Sequence, residues 1–144
     1  MQPSIRLPER IATFKSPHHF LSNSWPCPAG IVWENEIFPT VEHAYQWTKI
    51  ATPEGRAAVM SRENPVFAKM MTPAYPVRDD WDFIKDDVML ELLRLKFQDR
   101  YLRDWLLGTG RSEVVEDVRL EEAGLGRLLM QVRGEIQAAK NMTT

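Results

Sequence analysis

Residues 38–49 read Phe-Pro-Thr-Val-Glu-His-Ala-Tyr-Gln-Trp-Thr-Lys, the densest polar and aromatic cluster in the chain. Thr40 follows Pro39 as a helix N-cap, so the cluster falls at a helix N-terminus. On such a helix Glu42, Tyr45, Gln46 and Lys49 project a carboxylate, a phenol, an amide and an amine from adjacent turns of one face. A set of that kind can hold a polyhydroxylated sugar. The two charges also read as ordinary partners of the helix dipole, each worth roughly 0.3–1 kcal/mol. His43 invites a metal or general-base role, but His18 and His19 belong to a separate loop and no second His or Cys stands beside it at ligand spacing. The spacing favours a hydrogen-bonded structural histidine. Trp81 and Lys85 are four apart at the start of a helix, where an indole plate beside an ammonium suits a base attached to a phosphorylated sugar. Core packing is the competing reading of Trp81. Glu116 and Asp117 follow Val114-Val115, a position from which a carboxylate can face a cleft or simply be solvated. G-x-S-x-G, Walker and Rossmann glycine patterns are absent, and the chain has only 7 Gly with which to build them.

The elements that must position these residues follow from local chemistry. Ile31-Val32-Trp33 and Glu36-Ile37-Phe38 flank Glu34-Asn35, which predicts a short hairpin. Thr40 opens a helix over residues 41–51, Thr52 with Pro53 a second, and Asn64 with Pro65 a third. Pro73 and Pro76 break the chain before the next half. Asp79 and Asp80 precede a helix over residues 81–100, with Ile84, Val88, Leu92 and Leu95 on its core face. A shorter helix ends at Gly108, a glycine suited to a left-handed C-cap, and residues 113–116 form a brief strand. Leu125, Leu128, Leu129, Val132 and Ile136 stripe a last helix over residues 125–139. The expected class is mainly α, an α+β chain with a small antiparallel β element, and not a doubly wound sheet.

Composition sets the outer bounds. With 144 residues, 44% hydrophobic and 26% charged, the chain is expected to form one globular domain over residues 1–144, with residues 1–10 and 140–144 as flexible ends. A chain of this size buries roughly 68–70% of its unfolded surface, so it needs neither metal nor disulfide. Cys27 is the single cysteine, which points to a reducing compartment. Residues 1–10 have no apolar core of a signal peptide, and no stretch approaches ~18 consecutive apolar residues, so a cytoplasmic location is expected. With 18 basic against 20 acidic residues the charge of -2 lacks the footprint of a non-specific duplex-DNA binder.

Read in order, several pieces resemble the YbiA-like, or NADAR, family. They are Phe20-Leu21-Ser22-Asn23, the Pro39 to Lys49 segment, Trp81 with Lys85, Lys96-Phe97, Leu106-Leu107-Gly108-Thr109-Gly110, Val115-Glu116 and the Leu125-Gly126-Arg127-Leu128-Leu129-Met130-Gln131-Val132-Arg133 ending. The resemblance spans residues 14–136, and the Glu-His helix segment is its most specific part. It implies a compact, mainly helical domain that cleaves N-glycosidic bonds without metal or redox cofactor. The implied substrates are ribosylamino-pyrimidine phosphates of riboflavin biosynthesis, or ADP-ribose linkages, including those on nucleic-acid bases. Carried over, it makes Glu42 the prime catalytic carboxylate, with Trp81 and Glu116 beside it. Asn23, Gln46, Lys49 and Lys85 become ligand contacts, and Phe20, His43 and Asp117 further substrate-binding candidates. The alternative is a non-catalytic module that binds ADP-ribose or a nucleotide in the same cleft. One departure stands out: relatives carry a longer loop with an Asp, a Trp-Gly pair and a Gly-Lys-Asn stretch where this chain has residues 117–124, without tryptophan or lysine. A shorter loop predicts a more open cleft that admits a bulkier or polymer-attached substrate.

Overall fold

Side chains that cap helices set most element boundaries. The computed structural model of the chain describes residues 7–115 and 124–142. It opens with β1 (Arg10–Ile11), a 3-10 turn at His19–Leu21 and a hairpin of β2 (Ile31–Trp33) and β3 (Glu36–Phe38). Helices α1 (Val41–Lys49), α2 (Pro53–Met60) and α3 (Pro65–Met71) follow, then a 3-10 turn at Thr72–Ala74. The second half holds α4 (Trp81–Lys96), α5 (Arg100–Gly108), β4 (Glu113–Val114) and α6 (Leu125–Met142). The fold is mainly helical with a small antiparallel sheet, as the patterning predicts. No helix among the described residues is long and apolar enough to cross a membrane.

The three predicted N-caps form: Thr40 accepts from the His43 amide, Thr52 from Gly55 and Asn64 from Val66, with Pro53 and Pro65 in the first turns they open. The hairpin closes through Glu34 and Asn35 at φ 48° and 65°. Two successive left-handed residues make the primed turn whose twist matches antiparallel strands, and asparagine tolerates it where glycine is absent.

Four boundaries differ from expectation, each for a local reason. α1 stops at Lys49 because Ile50 leaves the helix to bridge Val77, while Ala51 donates to the Pro76 carbonyl. The helix expected over residues 81–100 divides, because the Asp99 carboxylate accepts from the amides of Tyr101 and Leu102, both at 3.0 Å, and caps α5 anew. Gly108 remains helical; the left-handed residue is Gly110, at φ 63°. β4 pairs in parallel with β1, Arg10 opposite Glu113 and Ile11 opposite Val114, a contact between distant segments.

α1 packs against α2, α3 and α4, and α4 packs in turn against α6. Val41 and Ala44 of α1, Val88, Leu92 and Leu93 of α4, and Leu128, Leu129 and Val132 of α6 are buried in one cluster. Arg94 ties α4 to Glu135 of α6 at 2.6 Å on the surface, where solvent screens the pair and it adds little to stability. A smaller cluster of Ile50, Val59 and Ala68 packs with Trp47 and Tyr75 under α2 and α3. Gly55 lies within it: a Cβ there would come 2.4 Å from Ile50 Cγ2 and 2.8 Å from Tyr75 Cγ. Gly55→Ala is therefore expected to destabilise the fold by about 1–3 kcal/mol despite the better helix propensity of alanine. Chemical denaturation checks this, and a stabilised variant would show that α2 has room to move away.

Candidate active site

The face predicted on α1 exists and meets α4. Glu42 is 3% exposed in the first turn of α1, and Gln46 Nε2 donates to its Oε1 at 3.0 Å from the next turn. The Glu42 amide donates to the Asn23 carbonyl at 3.0 Å, so the 22–23 segment closes the N-terminus of α1 beside the Thr40 cap. Asn23 is buried, and its Nδ2 lies 3.6 Å from Met89 Sδ on α4. The Asn23 Oδ1 and Gln46 Oε1 atoms are buried with no hydrogen-bond partner among the described residues. An unmade hydrogen bond of this kind costs about 1–3 kcal/mol, so the two amides mark a place prepared for polar groups that the chain does not itself supply.

Gln46, the partner of this carboxylate, also lines a cleft of about 320 Å³ with Tyr45 and Lys49 of α1, Val77, and Trp81, Asp82 and Lys85 of α4. Trp81 is only 6% exposed, with its ring edge-on to Tyr45 at a centroid distance of 4.9 Å. It serves as both core and wall: the two readings weighed for it in sequence describe two sides of one indole. The walls cannot drift apart, because Arg78 donates to the Lys49 carbonyl at 3.0 Å and Ile50 bridges Val77 at the mouth. Lys85 pairs loosely with Asp82 at 3.5 Å and keeps a largely accessible ammonium. The cleft thus offers a tethered carboxylate one hydrogen bond behind its lining, two lysines from opposite walls, and aromatic rings between them.

Of the predicted residues, Gln46, Lys49, Trp81 and Lys85 line the cleft, Glu42 is joined to that lining through Gln46, and Asn23 is joined to Glu42. Two others lie apart. His43 is buried with both nitrogens engaged: Thr40 Oγ1 donates to Nδ1 at 2.8 Å and Nε2 donates to the Arg62 carbonyl at 2.7 Å. It points away from the Glu42 face and fastens α1 to the end of α2, the structural role its isolation in the sequence favours. Phe20 packs edge-on to Trp105 at 5.6 Å and lines a separate recess of about 510 Å³ with Trp25 and Ile11. That recess is larger than the cleft but is chiefly apolar and has no lysine or arginine in its lining, so it lacks the means to hold an anionic sugar. Glu116, Asp117 and the loop residues up to 123 lie outside the described residues. Among the described residues, no group of three His, Cys, Asp or Glu side chains gathers where it could hold a metal.

Sequence reasoning missed Val77, Asp82 and Lys96. Val77 enters through a backbone bridge that no periodicity announces. Lys96, 1% exposed, closes α4 with its Nζ donating to the Ser22 carbonyl at 2.8 Å. Burial is the main cause that pushes its ammonium down to about 8 from 10.5, partly countered by the nearby Cys27 sulfur. Burial likewise raises the Cys27 thiol above its ordinary value of 9.0. The clue to Lys96 was its place on one stripe of α4 with Trp81, Lys85, Met89 and Leu92, successive residues three or four apart.

Two predictions follow from these buried groups. His43→Ala removes the ring acceptor of the Thr40 hydroxyl, which still caps the amide of residue 43, and the donor to the Arg62 carbonyl, and with the volume it vacates should lower unfolding free energy by about 2–4 kcal/mol; a change below about 0.5 kcal/mol in urea titrations would deny His43 its fastening role. For Lys96 the folded group titrates below the unfolded one, so between about pH 8 and 10.5 the unfolded chain binds more protons and stability rises with pH. Cys27 acts oppositely, since its raised folded value favours the fold below 9.0. The difference in stability between wild type and Lys96→Met should therefore grow in favour of wild type, by up to a few kcal/mol, as pH rises through that window. A flat difference would mean that Lys96 is solvated in the native state.

With this geometry in hand, comparison with known proteins is informative. The NADAR domain family profile matches residues 12–123. The chain is 30% identical over 131 residues to N-glycosidase YbiA of Escherichia coli (strain K12), covering 81% of this chain and 79% of that protein. It is 34% identical over 123 residues to the chloroplastic riboflavin biosynthesis protein PYRR of Zea mays, covering 69% of this chain and 20% of that protein. The NMR structure of E. coli YbiA superposes with a TM-score of 0.76 at 25% identity, covering 94% of this chain and 89% of that one.

Proposed function

The chain belongs to the NADAR domain family, and from that premise we propose that it is an N-glycosidase that hydrolyses the bond between a ribosyl C1′ and a base nitrogen in a phosphorylated substrate. The observation that supports the reading is the buried Glu42 carboxylate, hydrogen-bonded to Gln46 in the lining of a cleft that also bears Lys49 and Lys85. The name N-glycosidase borne by the YbiA relative supports the same reaction class.

Hydrolysis of a ribosyl C–N bond passes through an oxocarbenium-like state, in which positive charge grows on C1′ and the ring oxygen. In this reading the carboxylate of Glu42 stabilises that charge and accepts a proton from the water that attacks C1′. Water oxygen bonds to C1′, the C1′–N bond breaks, and its electron pair leaves with the base nitrogen, which takes up a proton. The hydroxyls of a ribose both donate and accept, so they satisfy the buried amides of Asn23 and Gln46 whichever way each amide is turned. Lys49 and Lys85 meet the phosphate, and Trp81 with Tyr45 walls the leaving ring, so remote binding energy orients the reacting centre. Glu116 is proposed as the second carboxylate and Asp117 as a further substrate contact on the family resemblance alone.

Of the two substrate classes the family implies, the cleft volume of about 320 Å³ favours the smaller, a ribosylamino-pyrimidine phosphate, over ADP-ribose on a base. The name of the maize relative, a riboflavin biosynthesis protein, supports the same choice. Incubation with both classes, followed by mass spectrometry of free base and sugar phosphate, tests the reading: release from the ribosylamino-pyrimidine phosphate is expected, and release from neither would sink it. Glu42→Gln should keep the fold and lower turnover by a factor on the order of 10² to 10⁴. Lys85→Met should mainly raise KM, by a factor on the order of 10 to 100 for a lost charged contact.

A further inference from the structure

Lys96 raises a question that the proposed chemistry does not answer. An ammonium at the closed end of α4 is shut away from water, and among the described residues no carboxylate lies within ion-pair distance of it. Its polar contact is the Ser22 carbonyl at 2.8 Å, with the Phe97 ring 5.2 Å away. A buried charge is costly, and an apolar side chain of the same length would cost the fold less. The ammonium is therefore best explained by what it holds.

It holds the dipeptide that orients the carboxylate. Ser22 is fixed by Lys96; the next residue, Asn23, accepts the Glu42 amide on its carbonyl at 3.0 Å and meets Met89 with its side chain. Lys96 and Met89 stand two turns apart on the stripe that carries Trp81 and Lys85 into the cleft. One face of α4 thus builds a cleft wall with its first two turns and grips the 22–23 peptide with its later ones. We propose that Lys96 is a positioning residue for the hydrolysis: its ammonium clamps the Ser22–Asn23 peptide against the N-terminus of α1, and so sets where the Glu42 carboxylate and the Asn23 amide stand relative to the Trp81 wall. The clamp rests on the N-glycosidase reading for its purpose but not for its geometry. A residue of this kind acts on the transition state rather than on ligand affinity, because a displacement near 1 Å at the reacting centre can cost on the order of 10²-fold in rate.

The test uses Lys96→Met, which fills the same space without needing a partner, and Lys96→Gln, which restores an N–H donor towards Ser22. The Met variant should melt at or above the wild-type temperature at neutral pH, lose turnover by a factor on the order of 10 to 100 with KM little changed, and regain part of it as Gln. Amide hydrogen exchange gives a reading free of turnover: the Glu42 amide should exchange at least about tenfold faster in the Met variant, while core amides such as Leu92 and Leu93 keep their protection. Wild-type turnover per folded Met variant, or unchanged Glu42 exchange, overturns the clamp. So would loss of folding in both variants, which would make Lys96 a core residue only. Should the wild type cleave no ribosyl compound, the N-glycosidase reading falls while Glu42 exchange still decides the clamp.

Discussion

Glu42 is 3% exposed, and a carboxylate so far from water must find its stabilisation inside the protein. The rest of the site is arranged around that requirement. Its place in the first turn of α1 aligns it with the positive end of the helix dipole. Gln46, one turn on, donates to Oε1, and the Asn23 carbonyl takes up the Glu42 backbone amide. These contacts hold the carboxylate on rigid elements, where its distance from a bound sugar is fixed by packing rather than by a loop.

Helix α4 meets the same requirement from the other side. Its apolar residues Val88, Leu92 and Leu93 bury themselves between α1 and α6, so the helix cannot slide without opening the core. Because its rise places Trp81 and Lys85 at one end and Met89 and Lys96 further along, a single rigid body delivers a ring, a cation at the cleft and the contact with Asn23 in fixed proportion. A site made of two packed helices needs few residues of its own.

What could be read from the sequence was local. Thr40, Thr52 and Asn64 reveal helix starts because capping joins residues two or three apart, and the Glu42, Gln46 and Lys49 face follows from the helix period alone. What escaped was non-local. The parallel pairing of β1 with β4 spans two residues per strand, too few for any alternation to show. The Ile50–Val77 bridge depends on backbone groups that carry no side-chain signal. Asp99 looked like one more polar residue on a long helix, and only the bond of its side chain to two later amides divides α4 from α5. Lys96 was hidden by its type: a lysine in a last helical turn ordinarily complements the dipole in water, and nothing within its own turn announces the Ser22 carbonyl that it reaches across the fold.

The two ends of the cleft differ in stiffness, and the difference bears on specificity. On the side of Gln46, Glu42 and Asn23 are buried and linked to one another by hydrogen bonds, so this end has little freedom to move. At the mouth, the backbone is stitched by Arg78 to Lys49 and by Ile50 to Val77, but the cations themselves are long, partly exposed side chains. A flexible ammonium can follow a phosphate through several positions at little cost. On the proposed reading, the rigid end selects the reaction, an attack on a ribosyl C–N bond, whereas the adaptable end tolerates variation in the phosphate and in the ring beyond it.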